Sequence, residues 1–479
     1  MNLSDPARSP WLRAGALAWP VAAQQAIALF VQLTDRWLAG HGTGPAASQV
    51  AIQAAQTTCF YLAWMTATLG VLATAGVTAL VSRRIGGNDT RGANAAFHQA
   101  LLIAVTVGTA GAVAGLACLP VLLAMLGLDG SAGQYAAEFL SVTFMLLPVQ
   151  VVGSTATASL AAAGDTRTSL WIGCAAMLLN LPLAWLGFRG VGDWEGLGFA
   201  GIAWGTGASQ MLGMVAVLTV LACGRAGLRL TMTLLAPDWP VMRGLLRISV
   251  PAAAESFAMV AGQMVFLTAV NSLGDVARAA HGIALGWETV AETFGLAFGV
   301  AAGVLVGQNL GAGRPAEARR CGFAAYALGA AGMSLVGAGF HIYGEPLFRF
   351  FCPTPEQTPI VVAGVPVLKL AAWSMPALAS CHILSSALRG GGDTRTPLAI
   401  TLAGFFLVRL PLTAWLTWDA VPLPWGTPLG LPTLPGLGLG LWGCWLAMQV
   451  DLWVRGAAYA VAFVGAWRDK SRRLHACAR

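Results

Sequence analysis

Residues 164–168 read Gly164-Asp165-Thr166-Arg167-Thr168, and the same five residues recur as Gly392-Asp393-Thr394-Arg395-Thr396. Each copy lies between two long apolar runs, 135–163 and 169–188 around the first, 360–388 and 397–418 around the second. The offset of 228 is matched elsewhere. Val81 to Gly87 (VSRRIGG) aligns with Val306 to Ala312 (VGQNLGA) at 225, which sets Ala93 on Ala318. Pro20-Val21-Ala22-Ala23-Gln24 aligns with Pro251-Ala252-Ala253-Ala254-Glu255 at 231. Three matches at nearly one offset mark an internal duplication, and a duplication has to be recognised before any single element is interpreted.

Working outward, apolar stretches bounded by charged or turn-rich segments give twelve spans, near 14–40, 50–81, 95–119, 135–163, 169–188, 197–223, 246–272, 280–309, 322–348, 360–388, 397–418 and 438–466. The chain has 479 residues, 57% hydrophobic and 10% charged, against about 25% charged in a soluble domain. At roughly 20 residues per crossing, twelve helices leave little beyond turns. The expectation is an all-α membrane protein with two pseudo-symmetric six-helix bundles, 1–223 and 246–479, joined by a hydrophilic connector at 224–245 and ending in a basic tail. Six spans per half is an even number, so both halves enter the membrane in the same sense and are related by an axis along its normal.

The net charge of +7 suggests nucleic acid only until the positions are counted. Of 27 Lys and Arg, 20 fall in one alternate set of termini and connections, among them Arg83, Arg84, Arg225, Arg229, Arg314 and Arg320, and three in the other, Arg189, Arg278 and Arg349. Arg36, Lys369, Arg409 and Arg455 lie within spans. Positive residues collect on the cytoplasmic side, so both termini are expected there, with no nucleic-acid partner and with membrane lipids around the helices. The first run carries Gln24, Gln25, Gln32 and Asp35 and reads as a spanning helix rather than a signal peptide. Nine scattered cysteines with no Cys-x-x-Cys pair suggest neither disulfides nor a metal site.

Polar residues inside spans are the functional candidates, because a carboxylate in hydrocarbon costs roughly 2.5 kcal/mol or more on insertion scales. Asp35 lies on a stripe with Gln24, Gln25 and Gln32 on one face of helix 1. Gln49, Gln53, Gln56 and Thr57 form a second stripe on helix 2, expected to face a cleft rather than lipid. Glu288 and Glu292 are one turn apart in helix 8, a heptad after His281. They either line a cleft or pair with Lys369 or His382. Asn180 stands mid-span before Pro182. Asp451 and Arg455, one turn apart, read as a structural ion pair. Isolated His98 and His341 read as packing residues. In the repeated loops glycine permits the turn, Thr396 caps the following helix and Pro397 opens it. No Walker Gly-Lys-Ser/Thr and no His-Glu-x-x-His occurs, so no catalytic site is expected and the chain is not an enzyme.

Leu33-Thr34-Asp35-Arg36-Trp37-Leu38-Ala39-Gly40, the two Gly-Asp-Thr-Arg loops and Val306-Gly307-Gln308-Asn309-Leu310-Gly311-Ala312-Gly313, in this order and spacing, resemble the multidrug and toxic compound extrusion (MATE) family across essentially the whole chain. The resemblance implies two bundles facing a central cleft, and export of small organic, often cationic, compounds in exchange for H⁺ or Na⁺ by rocking-bundle alternating access. It also implies a monomer in the bacterial inner membrane, with no cofactor beyond the coupling ion. On it, Asp35 matches the coupling carboxylate, and Asn180 the residue that orients it in some members. Those members carry an Asp one turn later, where this chain has Ala184. Glu255 matches a cation-binding Glu whose helix-10 Asp partner is absent here. Gln32, Gln53, Glu255, Glu288, Glu292 and His382 are the expected cleft residues. A flippase for a lipid-linked saccharide, or a non-transporting scaffold or channel, remain the rival readings.

Overall fold

The computed structural model describes residues 9–40, 46–125, 130–421 and 434–477. Its helices correspond one to one with the twelve apolar runs. They are α1 (Pro10–Gly40), α2 (Ala46–Gly86), α3 (Thr90–Met125), α4 (Gly130–Met145 and Leu147–Ala162), α5 (Thr166–Arg189) and α6 (Phe199–Ala222). After the connector come α7 (Trp239–Asn271), α8 (Asp275–Gly311), α9 (Pro315–Phe351), α10 (from Thr358 to Gly390), α11 (Arg395–Thr417) and α12 (Gly440–Cys477). Among the described residues nine are singly long and apolar enough to cross a membrane, and eleven if the bent α4 and α10 are each one span. The twelfth, α12, has 38 residues but carries Asp451 and Arg455 in its middle. Several helices outrun the hydropathy spans: α2 has 41 residues, about 60 Å at 1.5 Å per residue, against a hydrocarbon layer of about 30 Å.

The bends have local causes. α4 turns by 47° at Leu146, where Pro148 withholds a backbone donor, and α10 turns by 58° at Ser374, two residues before Pro376. Tyr343 leaves helical geometry in α9 just before Pro346. Wide π-helical turns interrupt α10 at Ser380–Leu384 and α11 at Gly404–Arg409. Such turns often sit at functional positions.

Contacts divide the chain into two compact units. The first is chiefly Trp19–Ala253 with Gly307–Gly313, and the second chiefly Ala254–Val306 and the chain from Arg314, with the start of α1 up to Ala18. The first unit's core joins α2, α3, α4 and α6 through Val77, Phe97, Leu101, Leu147, Leu160 and Leu221, all buried. Small residues let α5 and α6 approach: a Cβ on Gly201 would stand 2.0 Å from the Gly187 carbonyl oxygen, and one on Gly205 2.4 Å from Ala184 Cα. The two repeated glycine motifs meet in the same way, with Gly86 against the Gln308 carbonyl and Gly311 against that of Arg83. Outward-facing Trp171, Leu178, Leu407 and Val461 are exposed. Apolar side chains spread over whole helices this way need lipid, not water, as surroundings.

The connector is folded onto α3. Asn94 accepts from the Arg229 amide (2.7 Å) and donates to the Gly227 carbonyl (2.9 Å), and Gln99 donates to the Leu234 and Ala236 carbonyls and accepts from the Asp238 amide. The Thr231 N–H donates to His98 Nε2 at 2.9 Å, which leaves Nδ1 to donate to the Asn94 carbonyl at 2.7 Å. His98 is therefore a satisfied packing residue.

Candidate functional site

The first unit's candidate acid is Asp35, on the part of α1 that belongs to it. Its Oδ1 is buried and has no hydrogen-bond partner. Gln24, three turns earlier on α1, lies against Gly173 of α5, where a Cβ would stand 2.5 Å from its Nε2. Asn180, two turns beyond Gly173, is buried, but it does not bond Asp35. Its Nδ2 donates to Thr206 Oγ1 (2.9 Å) and Ser209 Oγ (3.4 Å) of α6, and its Oδ1 has no partner. Ala184 is fully buried against Gly205, so an acid at that position would break the α5–α6 contact. Gln32 is exposed. The Gln53 side chain lies outside the described residues, as do those of Gln49, Gln56 and Thr57.

In both repeated loops Asp, not Thr, does the capping. Asp165 accepts from the Thr168 amide (3.0 Å) and hydroxyl (2.7 Å), and Asp393 accepts from the Thr396 amide (3.1 Å) and hydroxyl (2.7 Å). The Thr hydroxyl faces the carboxylate, so it is unavailable as an independent cap. Gly164 and Gly392 have φ of 95° and 76°, which glycine adopts without strain. Arg225 adds a 2.7 Å pair to Asp165. Burial pushes the Asp165 carboxyl up, but the bonds from Thr168 and Arg225 outweigh it and hold it below the ordinary value.

The second unit carries a row of buried charge. Glu255 of α7 receives Arg389 Nη1 at 2.9 Å on Oε2, and Thr401 and Tyr459 hydroxyls at 3.1 and 3.3 Å on Oε1. Three of its roughly four acceptor positions are taken, and a guanidinium neutralises it. The structure thus places it in an internal ion pair with Arg389. Arg389 also reaches Ser385 and Ser386.

Asp451 of α12 holds two guanidiniums, Arg409 Nε at 2.8 Å and Arg455 Nε and Nη2 at 2.8 and 2.7 Å. The ion pair expected with Arg455 is present, but as part of a triad. Arg409 also donates to Gln263 (3.1 Å) and stacks over Phe405 at 4.2 Å. Sequence reasoning placed Arg409 within a span and went no further. Its signal was there, since an arginine amid apolar residues requires a partner at depth.

Glu288 and Glu292 hold no direct guanidinium bond, although Arg409 lies within electrostatic range of both. Glu288 is 3% exposed. Glu292, one turn on, keeps 35% of its side chain exposed and faces His382 Nε2 at 3.9 Å. His382 lies in the wide turn of α10, which is seated in a groove of Gly295, Gly299 and Gly303 on α8. Glu292 and His382 are thus brought together, as one of the two expected arrangements had it, whereas Lys369 is exposed beside Gly344.

A family model described as MatE matches this chain twice, over residues 20–186 and 251–415, which follows the internal duplication. A probable multidrug resistance protein NorM of Thermotoga maritima is 24% identical over 95% of this chain and 92% of its own length. The multidrug resistance protein NorM of Burkholderia vietnamiensis is 28% identical over 94% and 92%. Among solved structures, an outward-facing multidrug resistance MATE family transporter of the MOP superfamily superposes with TM-score 0.85 at 16% identity over 97% of each chain. A MOP superfamily transporter from Pyrococcus furiosus does so with 0.84 at 16% identity over 96% of each, and at such identity the likeness speaks for the fold alone. With twelve membrane helices in duplicated sets of six, and the family model matched in each set, the chain belongs to the MATE family of membrane transporters.

Proposed function

We propose that this protein is a secondary active antiporter that exports small organic, often cationic, compounds in exchange for H⁺. The observation that carries the reading is the contrast between acids. Glu255 and Asp451 are bound by guanidiniums, while Asp35 keeps a buried oxygen with no partner. An uncommitted carboxylate in a membrane span is positioned to take up and release a cation. A proton needs one such oxygen. Na⁺ needs several ligands at once, and Glu255, which the family resemblance makes a cage member, has most of its acceptor positions occupied. Protonation of Asp35 removes its charge and shifts the population between outward-open and inward-open states.

Glu292 supports the choice of cationic substrates. It is a half-exposed carboxylate with a buried one behind it, and a cation desolvated on approach gains more from such a pair than it would in water. The names of the NorM relatives point to multidrug export. In this reading the chain works as a monomer in the bacterial inner membrane with both termini cytoplasmic, and uses no cofactor besides the exchanged ion. The test is uptake into proteoliposomes with imposed gradients. Accumulation of an organic cation driven by a pH gradient is the expected result, and accumulation that follows only a Na⁺ gradient at constant pH refutes the proton.

A further inference from the structure

Four polar side chains of the second unit are almost wholly buried and have atoms without hydrogen-bond partners. They are His281 on α8, Thr413 on α11, and Trp445 and Gln449 on α12, exposed by 3, 2, 0 and 4%. Both ring nitrogens of His281, both amide atoms of Gln449, the Thr413 hydroxyl and the Trp445 indole N–H are unpartnered. They lie on three helices of the same unit. The His281 ring meets the Trp445 ring edge-on at 5.6 Å, and Trp445 and Gln449 are one turn apart. Thr413 lies one turn before Thr417 on α11, and Thr417 meets Cys444, next to Trp445 on α12, at 3.1 Å.

Each buried polar atom left dry costs roughly 1–3 kcal/mol, and native proteins meet such sites with ordered water, which uses two to four polar partners. The chemistry of the set selects water over other occupants. An indole N–H only donates, a hydroxyl and an amide do both, and a neutral imidazole offers one of each. A bound metal cation would want acceptors alone, and an anion donors alone. Glu288 lies seven residues from His281 on the same face of α8, about 10 Å along the axis.

We propose that these side chains enclose a water-filled chamber in the second unit, and that His281 relays protons through it to Glu288. The inference rests on the proton-driven antiport reading. A hydronium ion gives its proton to one ring nitrogen of neutral His281 and becomes water. The proton on the other ring nitrogen passes along a file of several waters, as the roughly 10 Å between the residues requires, and from the last of them to a carboxylate oxygen of Glu288. Only N–H and O–H bonds break and form, and His281 ends neutral in the other tautomer. The charged and titratable groups linked to Glu288 and to its neighbour Arg409 are Glu292 on α8, with His382 of α10 facing it, Cys381 on α10, and Asp451 and Arg455 on α12, while Gln263 of α7 accepts from Arg409. The two guanidiniums and one carboxylate of the triad carry one net positive charge. That charge bars a cation from continuing along α12, as arginines do in water-selective pores, and leaves Glu288 as the terminus.

Two measurements test the proposal. Hydroxyl radicals generated from protein-held water by an X-ray pulse oxidise side chains beside that water, even when bulk solvent is excluded. Trp445 is expected to be labelled well above Phe463, which is equally buried but packs against Phe323. Labelling no higher than that of Phe463 overturns the chamber. In proteoliposomes, His281→Phe and Gln449→Leu are each expected to slow pH-driven exchange, on the order of ten-fold or more, with substrate binding in detergent unchanged and the pH profile of transport altered. Parental exchange in both overturns the relay. If the parent protein itself ignores a pH gradient, the antiport reading fails instead. If the parent follows the gradient, Asp35→Asn does not, and both chamber variants behave as the parent, this inference alone fails.

Discussion

At the scale of single residues, the membrane-buried acids divide by what faces them. Asp35 and Asp451 are each the single carboxylate of an apolar run, and Arg455 one turn on already sets Asp451 apart in the sequence. Arg409, 42 residues before Asp451 in the chain, adds a second guanidinium by folding onto it. The sequence thus reveals which charges are buried, while the partners come from helices far apart in the chain, as Arg389 and Tyr459 do for Glu255. Asp35→Asn is expected to abolish pH-driven export while substrate binding and folding are kept. Pump activity retained in proteoliposomes would remove Asp35 from the coupling role. Asp165 offers a check on stability. Its folded carboxyl titrates below the ordinary value, so its stabilisation is complete above about pH 4 and is lost as pH falls through the folded value. Asp165→Asn keeps a capping side chain and loses only the charge paired with half-exposed Arg225, a contribution of about 1 kcal/mol or less. The melting temperature of the variant should lie slightly below the parent's at pH 7 and converge with it in acid.

At the scale of elements, hydropathy located all twelve helices, and Pro148, Pro346 and Pro376 signal the bends. The wide turns at Ser380–Leu384 and Gly404–Arg409 contain no proline and so carry no local mark in the sequence. They arise where α10 and α11 adjust to α12: Ser380 donates to the Gly456 carbonyl at 2.8 Å, and a Cβ on Gly404 would meet Arg455 Cδ at 2.3 Å. The α5–α6 contact gives a sharper test. Gly201→Val is expected to push the helices apart and destabilise the first unit by about 1–3 kcal/mol, seen as a lower melting temperature in detergent. Gly282→Ala, at a position with nothing within 4 Å of the added carbon, should leave it unchanged. Equal melting of the two variants would contradict the close approach.

At the scale of the whole molecule, the duplication was legible because it is written in positions along the chain, as repeats at one offset, and the family model matches once in each copy; the arginines in alternate connections yield an expected orientation in the same way. The orientation predicts a labelling pattern. In a background lacking the exposed Cys118 and Cys223, a cysteine at 41–48 should react with an impermeant thiol reagent added outside, and one at 88–92 or 314–320 should not. The opposite pattern would reverse the transport direction. The connector's attachment to α3 bears on how the chain is made. Asn94, His98 and Gln99 hold its backbone from Gly227 to Asp238, and every one of these bonds lies within the half synthesised first. Roughly 240 residues then remain, which at about 5–20 residues per second take from about ten seconds to most of a minute to emerge. Throughout that interval the connector is held on α3, so the ribosome delivers the second half from a fixed anchorage rather than from a loose tether.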